Sequence, residues 1–265
     1  MLQEDLEENA LMKLSNMSLF SLVTSALRSE EHERQANRTP PDYFYDSGAG
    51  SCLRKRVLQR AKKEKLPPTD ADLLAFRAGN LLHDWIRTLL IKNGAIPTIN
   101  GVALAEQSVN TEGSHGRYDF LLDPEKTGRY TLVDVKSTSS YGFKKRMEEG
   151  VDLTHAMQLC RYWMKLKDQY DIERGVVWYL SKDPKPGLTD LECPVTFDEE
   201  LIRTTLADMT AEQEAWSLYY DMKALPAMLP LTEKGKPDWR CQYCSLAGNC
   251  DAAHQVGNKY LVNHV

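Results

Sequence analysis

Thr131-Leu132-Val133-Asp134-Val135-Lys136 is the stretch on which the reading of this chain turns. Side chains alternate between the faces of an extended strand, so Asp134 and Lys136 share one face and Val133 and Val135 the other. A second acidic strand, containing Gly116-Arg117-Tyr118-Asp119, precedes it. Two carboxylates close together in a partly buried place repel each other, and a cation relieves them. Mg²⁺ or Mn²⁺ suits that role, because a hard ion takes one or two carboxylates, waters and a substrate phosphate. Such an ion polarises a phosphoryl oxygen and acidifies a bound water. Lys136 can orient that water and balance the charge developing on phosphorus. A constellation of this kind hydrolyses phosphodiesters.

Outward from that strand the chain reads as α/β, a central mixed β-sheet flanked by helices. Residues 1 to about 31 form a helix with a stripe of Leu6, Leu11, Leu14, Leu19, Leu22 and Leu27. A polar loop with Thr39-Pro40-Pro41 leads into a basic helix from Ser51 that ends before Pro67-Pro68. Thr69 or Asp70 caps the next helix, which stops at Gly94. Strands are expected over residues 102–110, 117–122, 130–137, 175–180 and 191–196. The second and third form a hairpin across Asp123-Pro124-Glu125-Lys126-Thr127-Gly128. Helices over 141–149 and 152–169 cross to the fourth strand, which lies parallel to part of the sheet. A long helix from Asp198 to about Ala224 and a cysteine-rich loop follow. Four regions result: a helical extension over 1–50, a basic helix and a His-bearing helix over 51–95, a core over 96–197, and a C-terminal lobe over 198–265.

Composition narrows the class only coarsely. The chain has 265 residues, enough for one sizeable core. Its apolar runs, such as Leu19 to Leu27, are too short and too polar to span a membrane. The opening acidic run (Glu4, Asp5, Glu7, Glu8) is unlike a signal peptide, so a cytoplasmic protein without a membrane partner is expected. A net charge of -5 argues against nonspecific coating of nucleic acid, but not against a nuclease with a locally positive groove. In a reducing compartment, six cysteines point to metal rather than disulfides.

Two further motifs gather around the acidic strands. Gly79-Asn80-Leu81-Leu82-His83 lies on an apolar helix, where His83 could ligate Mn²⁺. Gln158 and Tyr162 stand one turn apart on a helix face and could bond the lysine or a phosphate. In their order, Gly-x3-His, Gly-Arg-x-Asp, Asp-x-Lys and Gln-x3-Tyr resemble the PD-(D/E)XK nucleases of the RecB branch, which includes the CRISPR-associated exonucleases. The likeness covers about residues 50 to 250. It implies that His83, Asp119, Asp134 and the carbonyl of Val135 hold the metal and that Lys136 is catalytic. It further implies that Gln158 and Tyr162 support the site and contact DNA. Asp134 stands where many relatives carry Glu; the charge is kept on a shorter arm.

Cys52 and Cys241-x2-Cys244-x5-Cys250 offer four sulfurs, which suit either Zn²⁺ or an iron–sulfur cluster. They resemble the arrangement of those exonucleases and of AddB-type nuclease domains, which implies a 4Fe–4S cluster stapling a helical lobe built from both ends of the chain. Cys160 and Cys193 read as small core residues and His254 as a fallback ligand. Arg54, Lys55 and Arg56, with Lys144, Lys145 and Arg146, are basic runs available to DNA phosphates, and Tyr43, Phe44 and Tyr45 could stack on bases. The expected activity is metal-dependent exonucleolytic hydrolysis of single-stranded DNA, 5′ to 3′, in recombination, repair or CRISPR-adaptation-like processing. Protein partners from those pathways and self-association are open expectations. The alternatives are a structure-specific or flap endonuclease subunit, and a noncatalytic nucleic-acid-binding protein with a four-cysteine zinc module.

Overall fold

The computed structural model describes residues 18–36 and 42–262, so the apolar stripe expected before Ser18 lies outside the described residues. Two layers of helices enclose a four-stranded sheet. In chain order its strands are β6 (Phe120–Leu122), β7 (Arg129–Thr138), β8 (Asp171–Lys185) and β9 (Leu188–Val195), and they lie side by side in that order. The β6–β7 and β8–β9 pairs are antiparallel and β7–β8 is parallel, which makes the sheet mixed as expected. The β6–β7 hairpin closes where Asp123 takes hydrogen bonds from the Thr127 and Gly128 amides.

Alternation along β7 sorts its side chains as the sequence requires. Val133 and Val135 pack with Ile86, Ile96, Phe120 and Val176 under α3 (Asp70–Lys92). Leu132 packs on the other face with Phe143 of α4 (Ser140–Glu149) and with Ala156 and Leu159 of α5 (Leu153–Leu166). Each such side chain, fully buried, is worth roughly 1.5–3 kcal/mol of transfer free energy. The parallel β7–β8 pairing needs a crossover, and α4 and α5 supply it. Asp134 thereby ends up 2% exposed on the α5 face.

Helix starts follow local chemistry. Thr69 and Asp72 form a capping box at the head of α3, and Asp152 and Asp198 cap α5 and α6 (Glu199–Met222). The helix α1 (Leu19–Ala36) lies along α3, tied by Arg28 to Asp70 at 3.2 Å.

Three expectations on element boundaries change. The basic helix α2 is only Leu53–Arg60, because Lys62 turns left-handed (φ 59°) and ends it. The strand expected over 102–110 is split into β3 (Val102–Ala103), which pairs with β2 (Thr98–Ile99), and β4 (Ser108–Thr111). The strand expected over 117–122 is likewise two: β5 (Ser114–Arg117), in a small sheet with β4 and β1 (Phe44–Tyr45), and β6. Tyr118, fully buried in the core, and Asp119 lie at that break.

The C-terminal lobe carries three short helices, α7 (Trp239–Gln242), α8 (Ala252–Gln255) and α9 (Lys259–Val262). Asn258 holds its cysteine turn by donating to the carbonyls of Cys241 and Cys244. No helix among the described residues is long and apolar enough to cross a membrane.

Candidate active site

Asp119 emerges from the β5–β6 break and reaches under β7, where its Oδ2 accepts the Val135 amide at 2.6 Å. His83, on the inner side of α3, brings Nδ1 to 3.7 Å from the same oxygen. Lys136 Nζ lies 2.8 Å from Asp134 Oδ2 and donates to Gln158 Oε1 at 3.0 Å. Gln158 Nε2 in turn donates to Asp134 Oδ1 (3.1 Å) and to the Tyr162 hydroxyl (2.8 Å). The spacing of Gln158 and Tyr162, one helical turn, is what lets a single carboxamide serve both. His83, Asp119, Asp134, Lys136, Gln158 and Tyr162 are thus brought to one place from α3, the β5–β6 break, β7 and α5.

The electrostatics favour a cation. Burial, then the charge of Asp134, pushes the Asp119 carboxyl up to about 8. Asp134 Oδ2 is buried and receives no directed hydrogen bond; Lys136 approaches it as an ion pair only. Burial, then Lys136, holds His83 below the usual imidazole range, so it is neutral and able to ligate near pH 7. Burial likewise raises the Tyr162 phenol, which stays protonated. A neutral imidazole beside two carboxylates short of positive charge fits Mg²⁺ or Mn²⁺.

One residue was missed by sequence reasoning. Glu106 offers a carboxylate oxygen that lies, with atoms of His83 and Asp119, within a mutual 4.8 Å. Its amide donates to the Asp119 carbonyl, its carboxylate meets Arg117 Nε at 2.7 Å, and its own φ is 53°. The pattern over 102–110 predicts one continuous strand, and a left-handed residue inside it removes the parity by which strand faces are assigned. A lone carboxylate amid apolar residues just upstream of Gly-Arg-x-Asp was the available signal.

Several expected DNA contacts are corrected. Arg56 is 5% exposed and bonded to Asp208 and Glu212 inside the protein. Arg54 donates to the carbonyls of Pro226 and Asn249. Gln158 and Tyr162 are buried and support the site without a surface for DNA. Arg146 is buried against Glu149 and Asp152, and Phe44 packs in the core with Val57 and Ala215. Lys144 and Lys145 remain on the surface of α4, Lys145 near Glu149 at 3.8 Å.

The four cysteines expected to act together line one cavity of about 220 Å³ with Arg54, Tyr243 and Leu246. Burial, then the neighbouring Cys52 sulfur, lifts the Cys241 thiol to about 11. The four sulfurs do not contribute to the tight group of potential ligands described above. His254 is not free for a metal, since its ring nitrogens are taken by Asp251 and the Leu229 carbonyl. Cys160 and Cys193 are buried as expected.

Carboxylates, a lysine and a histidine meet beside a mixed sheet, an arrangement suited to phosphodiester chemistry, and the family comparison gives the class. The sequence profile of the PD-(D/E)XK nuclease superfamily matches residues 102–251, and the chain belongs to that superfamily. No curated protein sequence matches it. Among solved structures it is similar to SSO0001, at 18% identity and a TM-score of 0.50 over 87% of this chain and 97% of that one. An alkaline exonuclease from Laribacter hongkongensis matches at 11% identity and TM-score 0.48, over 69% and 94% of the two chains. A phage-related exonuclease from Haemophilus somnus matches at 13% and 0.43, over 65% and 82%. The SSO0001 likeness speaks to the fold.

Proposed function

We propose that the protein is a metal-dependent DNA exonuclease acting on single-stranded ends. The observation that carries this reading is the Asp119–Asp134 pair, held short of positive charge beside an oriented Lys136. His83, Asp119, Asp134 and the Val135 carbonyl would hold Mg²⁺ or Mn²⁺, with Glu106 in reach. The bound ion would supply Lewis acidity and a more acidic water. Lys136 is presented by Gln158 on the face of Asp134, where its ammonium can position a water and balance charge on a phosphate. Attack from the 5′ end, and a place in recombination, repair or CRISPR-adaptation-like processing, follow from the RecB-like resemblance.

The four-cysteine cavity belongs to the same reading as the seat of a 4Fe–4S cluster. The four cysteines line one cavity together with Arg54, and the choice of an iron–sulfur cluster over zinc rests on the resemblance of their spacing. Iron and sulfide analysis of anaerobically purified protein should show four iron atoms per chain, lost in Cys244→Ser; zinc in their place overturns this part.

The central experiment is degradation of end-labelled linear and circular single strands in manganese by wild type and Lys136→Ala. Linear strands should disappear only with wild type, and circles should survive. Equal degradation by both proteins removes the catalytic assignment, and cleavage of circles removes the exonuclease.

A further inference from the structure

A groove of about 550 Å³ opens from His83 and Lys136 and runs between α1 and α3. That volume is in the range of nucleotide-sized ligand sites, roughly 300–1,000 Å³. Its α3 wall carries Phe76, an aromatic ring left 56% exposed beside Arg77. Lys182, from the far part of β8, lines it too. Arg77 and Lys182 are exposed and have no carboxylate partner among the described residues, whereas Arg87 and Arg117 nearby are paired with Asp84 and Glu106. Two unpaired cations and an exposed ring on the approach to a phosphodiesterase site are the ingredients of single-strand binding, backbone neutralisation plus base stacking.

The α1 wall is of the opposite character. Glu30, Glu31 and Arg34 line it, with Arg34 bonded to Glu31 at 2.8 Å so that the wall keeps a net negative charge, and α1 is fastened by the Arg28–Asp70 pair and by Thr24, only 1% exposed. A wall of net negative charge across the groove leaves one phosphate backbone on the cationic side and repels a second. Duplex is thereby disfavoured by charge.

We propose that the α1–α3 groove is the track along which a single DNA strand reaches Lys136, with a base stacked on Phe76 and backbone phosphates held by Arg77 and Lys182. The proposal rests on the DNA nuclease reading and adds to it where the strand lies and why it is single. It is tested on the full chain in manganese, with a fluorescein-labelled oligothymidylate and with bis(p-nitrophenyl) phosphate, which is too small to use the groove.

Phe76→Ala should lower kcat/KM on the oligothymidylate at least about fivefold, the effect of one lost base stack. Arg77→Ala and Lys182→Ala should each flatten the dependence of log Kd on log salt by roughly 0.7, one phosphate contact of a single strand, while Phe76→Ala leaves that slope alone. All three should hydrolyse the small diester as wild type does. Wild-type kinetics and salt slopes in the three variants, with wild type active, would place the strand elsewhere and overturn the track alone. Equal wild-type affinity for duplex overturns the exclusion argument and with it the single-strand track. A wild type inert on both substrates overturns the nuclease reading and the track together.

Discussion

The carboxamide of Gln158 uses both N–H bonds and its oxygen within the site, on Asp134, Tyr162 and Lys136. Reversing the amide would set its N–H against the ammonium, so one orientation is fixed, and with it the lysine. Gln158→Leu keeps the volume but removes all three bonds; kcat should fall roughly 10- to 100-fold, the usual effect of losing a group that orients a metal-site ligand. The check is steady-state kinetics beside a circular dichroism spectrum, and an unchanged kcat would show that Lys136 orients itself. Asp119 makes a separate prediction. Its folded pKa of about 8 lies above the ordinary carboxylate value, so the metal-free folded state binds a proton that the unfolded chain has released. The stability so gained is complete below about pH 4 and is lost as pH rises through about 8. Urea unfolding in EDTA should show that decline, and Asp119→Asn should flatten it. If the slope persists in the variant, another group carries it. Of this site, Asp134 and Lys136 were legible from strand parity and Gln158 and Tyr162 from helical spacing. The use of Gln158 as a bridge was not, because it depends on α5 docking over β7, a contact no local pattern encodes.

At the scale of elements, the sheet was legible wherever two faces were buried differently. The β7 alternation and the hairpin turn at Asp123 are local signals, and so are the caps Thr69, Asp152 and Asp198. The small sheet was not legible: β1, two residues long, pairs in parallel with β5 from far along the chain, through Phe44 to Ser114 and Tyr45 to His115. Nor was the reason for glycine in Gly-Arg-x-Asp. A Cβ on Gly116 would collide with the Tyr162 ring and with the Asp46 carboxylate, so the glycine lets β5 lie against α5 and brings Asp119 towards Gln158's neighbourhood. Gly116→Ala should therefore cost about 1–3 kcal/mol of stability by overpacking. It should also lower activity more than a distant substitution of equal cost, because the strand that presents Asp119 must move. Comparing urea midpoints and kcat with those of Val57→Ala, a core truncation on α2 away from the site, measures the difference; equal activity losses at equal stability would reduce Gly116 to a packing residue.

The whole molecule is joined by buried charges, of which the sequence suggested a role only for Arg56, at DNA phosphates. Arg161, with no exposed side-chain surface, bonds Asp208 (2.6 Å) and Glu212 (3.0 Å) on α6 and stands 3.8 Å from Asp46. Arg56 of α2 shares Asp208 and Glu212, and Lys165, one turn beyond Arg161, bonds Asp46. Cations and carboxylates balance: Arg56, Arg161 and Lys165 against Asp46, Asp208 and Glu212. The cluster ties α2, α5 and α6 to the turn after β1, and α2 begins at the cysteine cavity while α5 carries Gln158. A buried pair contributes little net stability over an apolar isostere, but removing one partner leaves charge unpaired and costs about 3–5 kcal/mol. Arg161→Ala leaves three buried carboxylates short of a cation and should lose stability on that order. Arg161→Lys should recover only part of it, since an ammonium cannot reproduce the guanidinium fork between Asp208 and Glu212. Arg161→Met, close in volume and uncharged, combined with Glu212→Leu, should recover more than Lys does, because it leaves Arg56 paired with Asp208 and Lys165 with Asp46 and no buried charge alone. Urea unfolding of the series orders these outcomes. A double variant no more stable than Arg161→Ala would mean that hydrogen-bond geometry, and not charge pairing, holds α2, α5 and α6 together.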